Sequence, residues 1–426
     1  MSFRSIPPAI KDPADLHLEL KACRRFTLDN GVEVYAVDAG AEEVLQVDIV
    51  YRAGNWYEAR NGIAPAVNFL LKNGTPARSA FDINEHFDYH GAYLNRNCHS
   101  ETSDVVLHCL TKHLPDLLPV MCELLTEADF PAHELDIYRQ NMKQRLDVNL
   151  RKCDFVATRL IDEYLYGFAH PYGRYSTHAT YDALDRASLL DYYGSHYVRG
   201  HATIFVAGML PRDIDAQLNR HFGSLPLNRT AMPAIVHPVQ PSAERRHRIV
   251  NQSDGVQGAI RMARPFINRH HPDYAGASVL NALFGGFFGS RLMENIREDK
   301  GYTYGIYSYL QSHVADSAWV ISTEAGRDVC EAAITEVYHE MRRLREEEIP
   351  DEELQMVRNY LMGTLLGDLD GPFQIIARWK NLVLNGLDAG HFQRTIETIR
   401  GITGPQLTEL ASRYLTDDDF YELVVV

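Results

Sequence analysis

The sequence predicts an α+β protein built of two similar units, and three observations carry the prediction. A proline-led, acidic helix start occurs twice: Pro131 is followed by Glu134, Leu135 and Arg139, and 219 residues later Pro350 is followed by Glu353, Leu354 and Arg358. The elements around each copy follow one order, with strand, helix and further strand leading into a run of helices. Between the copies, Ser224 to Arg246 carries Pro226, Pro233, Pro238 and Pro241, an extended connection unsuited to helix.

Each element has a local reason. Val32 to Val37 and Val44 to Tyr51 are rich in β-branched and aromatic residues and read as strands, Ile63 to Lys72 as a helix, and Val105 to Leu110 as a further strand. In the second half, Gly258 to Met262 reads as a strand, Ala275 to Ile296 as one helix, and Tyr302 to Leu310 with Ala318 to Thr323 as a strand pair. Pro131 and Pro350 each close a segment, and the acidic residues after them suit the positive end of a new helix. The boundaries expected are an N-terminal domain over 1–228, a linker over 229–246 and a C-terminal domain over 247–426.

Composition bounds the function. The chain has 426 residues, 45% hydrophobic and 23% charged, enough for two full cores. Lys and Arg number 42 against 57 Asp and Glu, a net charge of −15, which leaves no basic face for nucleic acid or anionic lipid. Met1 to Pro13 lacks the apolar run of a secretion signal, and no stretch approaches the roughly 18 apolar residues of a membrane span. Six cysteines without a C-x-x-C pair fit a reduced protein, so a cytoplasmic location is expected.

Residues Gly62 to Thr75 read GIAPAVNFLLKNGT, a short amphipathic helix closing at Gly74, a residue type suited to a helix C-cap. The segment resembles the inverted zinc motif of the pitrilysin/insulinase metallopeptidases, G-x-A-H-x-x-E-H-x-x-x-x-G-T. In that motif two histidines one turn apart bind zinc, and the glutamate between them polarises the attacking water. Here Gly62, Ala64, Gly74 and Thr75 keep the frame, while Pro65, Asn68 and Phe69 stand at the His, Glu and His positions. Proline and phenylalanine have no lone pair for zinc, and a neutral amide takes no proton from water at neutral pH. The resemblance places the family's later glutamates at Tyr138 and Arg145, and a guanidinium at a ligand position repels a divalent cation. The same register holds at Gly91 and Asn95, at His170 to Gly173 and at Gly208, so the likeness spans nearly the whole chain. Elsewhere, His86 and His90 with Glu85, and the adjacent His270 and His271, offer no third ligand at a recognisable spacing.

In the second half, Phe284 to Ser308 (FGGFFGSRLMENIREDKGYTYGIYS) resembles the family segment G-G-x-x-S-R-L-x-x-x-L-R-E-x-x-G-x-x-Y, with Arg291, Arg297, Glu298, Gly301 and Tyr304 in register. Gly285, Gly286 and Gly289 make no phosphate loop, since no Lys-Ser/Thr follows; their size suits close packing. The resemblance implies that Arg297 and Tyr304 hold a peptide near its scissile bond, as fixed donors to a carbonyl or an oxyanion. It also implies that Asn95 lies on a strand edge where an extended peptide adds by β-augmentation.

The pattern resembles the zinc-less subunit of two-subunit family members of the mitochondrial processing peptidase kind. That resemblance implies two homologous domains, each a mainly antiparallel sheet packed with helices, forming half of a clamshell. It implies no zinc in this chain, zinc in a homologous partner subunit, and a peptide substrate positioned by Arg297, Tyr304 and Asn95. The alternative is a catalytically inert structural or peptide-binding protein, alone or as a homodimer. Exposure of Arg297 and Tyr304 separates the two.

Overall fold

The computed structural model describes Pro13 and residues 16–232 and 234–426. Apart from Pro13, the N-terminal stretch that bears on a secretion signal lies outside the described residues, as does Pro233 of the connection. The chain forms two compact bodies: Ala22–Gly255 with Gly371–Asn381 and Tyr421–Val426, and Val256–Asp370 with Leu382–Phe420 and the described part of Met1–Lys21.

In the first body six strands make one sheet: β1 (Arg24–Thr27), β2 (Glu33–Asp38), β3 (Val44–Tyr51), β4 (Tyr93–Cys98), β5 (Ser103–Leu110) and β6 (Ala202–Gly208). Their order is β1-β2-β6-β3-β5-β4, antiparallel throughout except for the parallel pair β2 and β6. Helices α1 (Ile63–Leu70), α2 (Ala80–Tyr89), α3 (Leu114–Glu127), α4 (Ala132–Leu150), α5 (Cys153–Tyr166), α6 (His178–Asp182), α7 (Arg186–Tyr193) and α8 (Ile214–Phe222) accompany it. Alternation along β3 decides the layering. Leu45, Val47, Ile49 and Tyr51 enter one core with Ala64, Val67 and Leu70 of α1 and Leu117, Met121 and Leu124 of α3. Each such Val, Leu, Ile or Met side chain contributes about 1.5–3 kcal/mol by leaving water. The connection after α8 has no regular structure among its described residues up to β7 (Arg246–Ile249).

The second body holds β8 (Gln257–Phe266), α9 (Tyr274–Asn281), β9 (Thr303–Ser312), β10 (Ser317–Gly326), α10 (Cys330–Glu346) and α11 (Asp351–Gly367). It also holds the end of α12 (Pro372–Leu384), with α13 (Gly390–Gly401) and α14 (Gly404–Tyr414). β10 pairs antiparallel with β8 on one side and β9 on the other. The rest of α12 belongs to the first body, as does β11 (Tyr421–Val425), which pairs in parallel with β7. The architecture is the expected α+β one, with sheets mainly antiparallel and packed with helices.

The internal repeat is visible in the bonding of its two helix starts. Leu135 N–H closes the first turn of α4 on the Pro131 carbonyl at 3.1 Å, and Leu354 does the same on Pro350 at 3.0 Å. Arg139 donates to the Leu184 carbonyl and Arg358 to that of Ile402, each tying its helix to a following one. The glutamates also correspond: Glu134 accepts from Asn73, and Glu353 accepts two bonds from Arg291.

The single helix expected over Ala275 to Ile296 is a correction. α9 ends in a widened turn, Ala282–Gly286; Gly285 departs from helical geometry, Phe287 is extended, and helix is regained from Arg291 and runs on through Met293–Asp299. The reason is close packing on β9. A Cβ on Gly285 would lie 2.7 Å from Ser308 Cβ and 2.8 Å from Leu292 Cδ1, so the chain breaks where only glycine fits.

Candidate functional site

Helix α1 is set by a buried carboxylate at its start. Glu58 accepts from the N–H groups of Gly62 at 3.2 Å and Ala64 at 2.9 Å, and from Arg174 at 3.2 Å, satisfying donors that a helix N-terminus leaves open. Burial pushes the Glu58 carboxyl above its usual range, against the pull of the Ala64 N–H and Arg174. With α1 so held, Asn68 turns inward and is only 2% exposed. Its amide N–H donates to the Asp104 carbonyl and the Tyr197 hydroxyl, both at 3.3 Å.

Phe69 occupies the next position on the outer side of the turn, with its ring centroid 5.0 Å from that of buried Tyr138 on α4. Arg96 of β4 lies over the Phe69 ring at 5.3 Å and donates to the Phe69 carbonyl. Burial lowers that guanidinium to about 10. Pro65 is half-buried on α1, and Arg145 is exposed further along α4. The structure thus brings Phe69 and Tyr138 together as packed rings, with Asn68 beneath as a structural donor. These residues do not fit zinc. The Asn68 amide N–H is directed at two oxygens, and burial pushes the Tyr138 phenol well above its usual range, so it stays un-ionised and a poor ligand.

The second constellation has the opposite character. Gly301, at φ +65°, turns the chain from the last helical residues into β9, a conformation that favours glycine. Arg297 lies over the Phe288 ring at 4.5 Å and the Tyr304 ring at 5.6 Å, and pairs with Glu298. Tyr304 is 92% exposed and Phe288 64%, and Tyr307 and Tyr309 of the same strand are exposed as well. Among the described residues, β9 pairs with β10 and is the last strand of its sheet. Asn95 is half-buried on β4, the end strand of the other sheet, opposite Val106 of β5.

A buried charge cluster in the first body was not legible beforehand. Asp48 of β3 and Asp104 of β5 lie on the sheet face opposite the main core, and Lys380 of α12 bridges them. Phe373 of the same helix meets His108 edge-on at 5.7 Å, so this stretch covers the face. In sequence, Asp48 reads as an outward polar residue of an alternating strand; only the distant helix buries it.

Residues 34–170 match the family model for insulinase (peptidase family M16), and residues 183–361 match that for the peptidase M16 inactive domain. An uncharacterized zinc protease of Bacillus subtilis is 22% identical over 407 residues, spanning 95% of this chain and 98% of its own length. Another from Mycobacterium tuberculosis is 23% identical over 422 residues, spanning 95% and 93%. Among solved structures, a peptidase M16 inactive domain from Pseudomonas fluorescens aligns with a TM-score of 0.86 at 21% identity, covering 95% of this chain and 98% of that one. A protease from Helicobacter pylori aligns at 0.85 with 15% identity, covering 95% and 99%. The two family models run one after the other over most of the sequence, and the fold agrees; the chain belongs to the insulinase (M16) peptidase family.

Proposed function

We propose that this chain is the non-catalytic subunit of a two-chain zinc peptidase, closing a chamber with a zinc-bearing homologue and holding peptide through Arg297 and Tyr304. The observation that carries the reading is an asymmetry: the residues at the zinc positions are packed rings and a structural amide, whereas Tyr304 stands 92% exposed beside Arg297. A phenol retained only for packing would be buried. A guanidinium and a phenol on a strand edge are donors for a peptide carbonyl or the oxyanion formed from it. Asn95 on the edge of β4 is the second place assigned to an extended peptide. Zinc belongs to the partner, and the pair works in the cytoplasm.

The competing reading, an inert peptide-binding or structural protein, draws support from the ion pair of Arg297 with Glu298, which already gives the guanidinium a partner. Reconstitution with a zinc-motif homologue separates the two. Arg297→Ala and Tyr304→Phe are expected to lower turnover of a fluorogenic peptide about 10-fold or more, the usual effect of losing one oxyanion donor. Unchanged turnover in both variants, or full activity of the homologue alone, overturns the proposal.

A further inference from the structure

His86 and His90 lie one turn apart at the C-terminal end of α2, and the fold brings further ligands to them from the start of α3. His113 immediately precedes α3, and Asp116 sits in its first turn. One ligand atom each from His90, His113 and Asp116 lies within 4.8 Å of the others. The rings of His90 and His113 are 5.0 Å apart, and His90 Nε2 is 3.8 Å from Asp116 Oδ2. That gap is too long for a hydrogen bond and close to the roughly 3.4 Å that separates neighbouring ligands in a tetrahedral site with bonds of about 2.0–2.1 Å.

The tautomer of His90 is decided by its second contact. His90 Nδ1 lies 2.9 Å from the His86 carbonyl, which only accepts, so Nδ1 carries the proton and the neutral ring leaves Nε2 bare. A histidine whose other ring nitrogen donates to a backbone carbonyl is the arrangement that orients metal-bound imidazoles. His86 acts as a brace: its Nε2 bonds the Asp116 carbonyl at 3.1 Å, joining α2 to the first turn of α3. Ile83 and Phe87 of α2 and Leu114 and Leu117 of α3 are buried in the same core, which holds both backbones in place without a metal. The His90 side chain is 13% exposed and that of Asp116 61%, so the cluster is sheltered on one side and open on the other.

We propose that His90, His113 and Asp116 form a binding site for a divalent transition metal of the Zn²⁺ class, with the remaining position open to water. Two imidazoles and one carboxylate suit zinc rather than magnesium or calcium, which take oxygen ligands. The site is separate in sequence and structure from the α1 positions, and it clasps α2 to α3.

The test is calorimetric titration of the full chain, stripped with chelator, using Zn²⁺ alone. One zinc per chain is expected, with binding weakened at least about 10-fold by His90→Gln and by His113→Gln. Added zinc is expected to raise the melting temperature of the parent chain and of His270→Ala/His271→Ala, but not that of the His90→Gln/His113→Gln double variant. X-ray absorption of the zinc-loaded chain is expected to show two imidazoles, a readout that holds should a variant fail to fold. No saturable binding at about tenfold molar excess of zinc, equal affinity in the double variant, or absorption without imidazole ligands each overturns the site.

Discussion

Lys380 donates to Asp48 across 2.7 Å from a position 332 residues further along the chain, and to Asp104 across 2.8 Å. The two carboxylates share one ammonium on a buried sheet face but are not equivalent. Asp104 also accepts from Asn97 at 2.7 Å, whereas Asp48 Oδ1 has no hydrogen-bond partner among the described residues. Burial pushes Asp48 up to about 6, with Lys380 pulling the other way. Burial acts on Asp104 in the same direction, but His99, Lys380 and Asn97 outweigh it and hold that carboxyl at about 2.

A pH prediction follows for Asp48. Its pKa is about 6 when folded, against about 3.9 in the unfolded chain, so folding takes up a proton between these values. The contribution favours the fold at low pH and is lost as pH rises through about 6. Asp48→Asn keeps an oxygen for Lys380 and removes the charge. The variant is expected to exceed the parent in stability by about 1–3 kcal/mol at pH 8 and to match it near pH 4. Urea unfolding at both values checks this, and a variant less stable at pH 8 contradicts it.

Placing an acid at Asn68 should harm the fold. Asn68 donates to the Asp104 carbonyl, and a carboxylate there would set acceptor against acceptor in a buried place. Asn68→Glu is expected to destabilise by about 2–4 kcal/mol without conferring peptidase activity. Thermal melting and a peptide assay on the lone chain measure both.

Arg291 forks onto Glu353 through Nε at 2.8 Å and Nη2 at 2.9 Å, tying the segment before β9 to the start of α11. Arg291→Ala leaves that carboxylate unmatched, and a loss of about 2–4 kcal/mol is expected. Arg291→Lys is expected to recover little, because an ammonium cannot form the two-point contact. Comparison of urea midpoints among the three chains decides the point.

Gly285→Ala tests the break after α9. The added methyl would meet Ser308 Cβ at 2.7 Å and the Ser308 N at 3.0 Å. Backbone must move, and a cost of about 1–3 kcal/mol is expected as a lowered melting temperature. An unchanged melting temperature would mean the segment shifts freely.

The sequence by itself determined the α+β class, the two-domain pattern and the presence at positions 65, 68 and 69 of side chains unsuited to zinc. Those properties lie in alternation, in helix starts such as Pro131 and Pro350, and in the chemistry of Pro65, Asn68 and Phe69, all readable from neighbouring positions. Only the tertiary structure decided that Phe69 packs on Tyr138, that Gly285 breaks a helix against Ser308, and that Lys380 pairs with carboxylates on two strands far from it in sequence. It also joined His90 to His113 and Asp116 across two helices. Local pattern reports what a segment can form; which side chains share a buried space depends on the path of the backbone, because contacts between distant segments are set by packing of whole layers and leave no periodic trace in the chain.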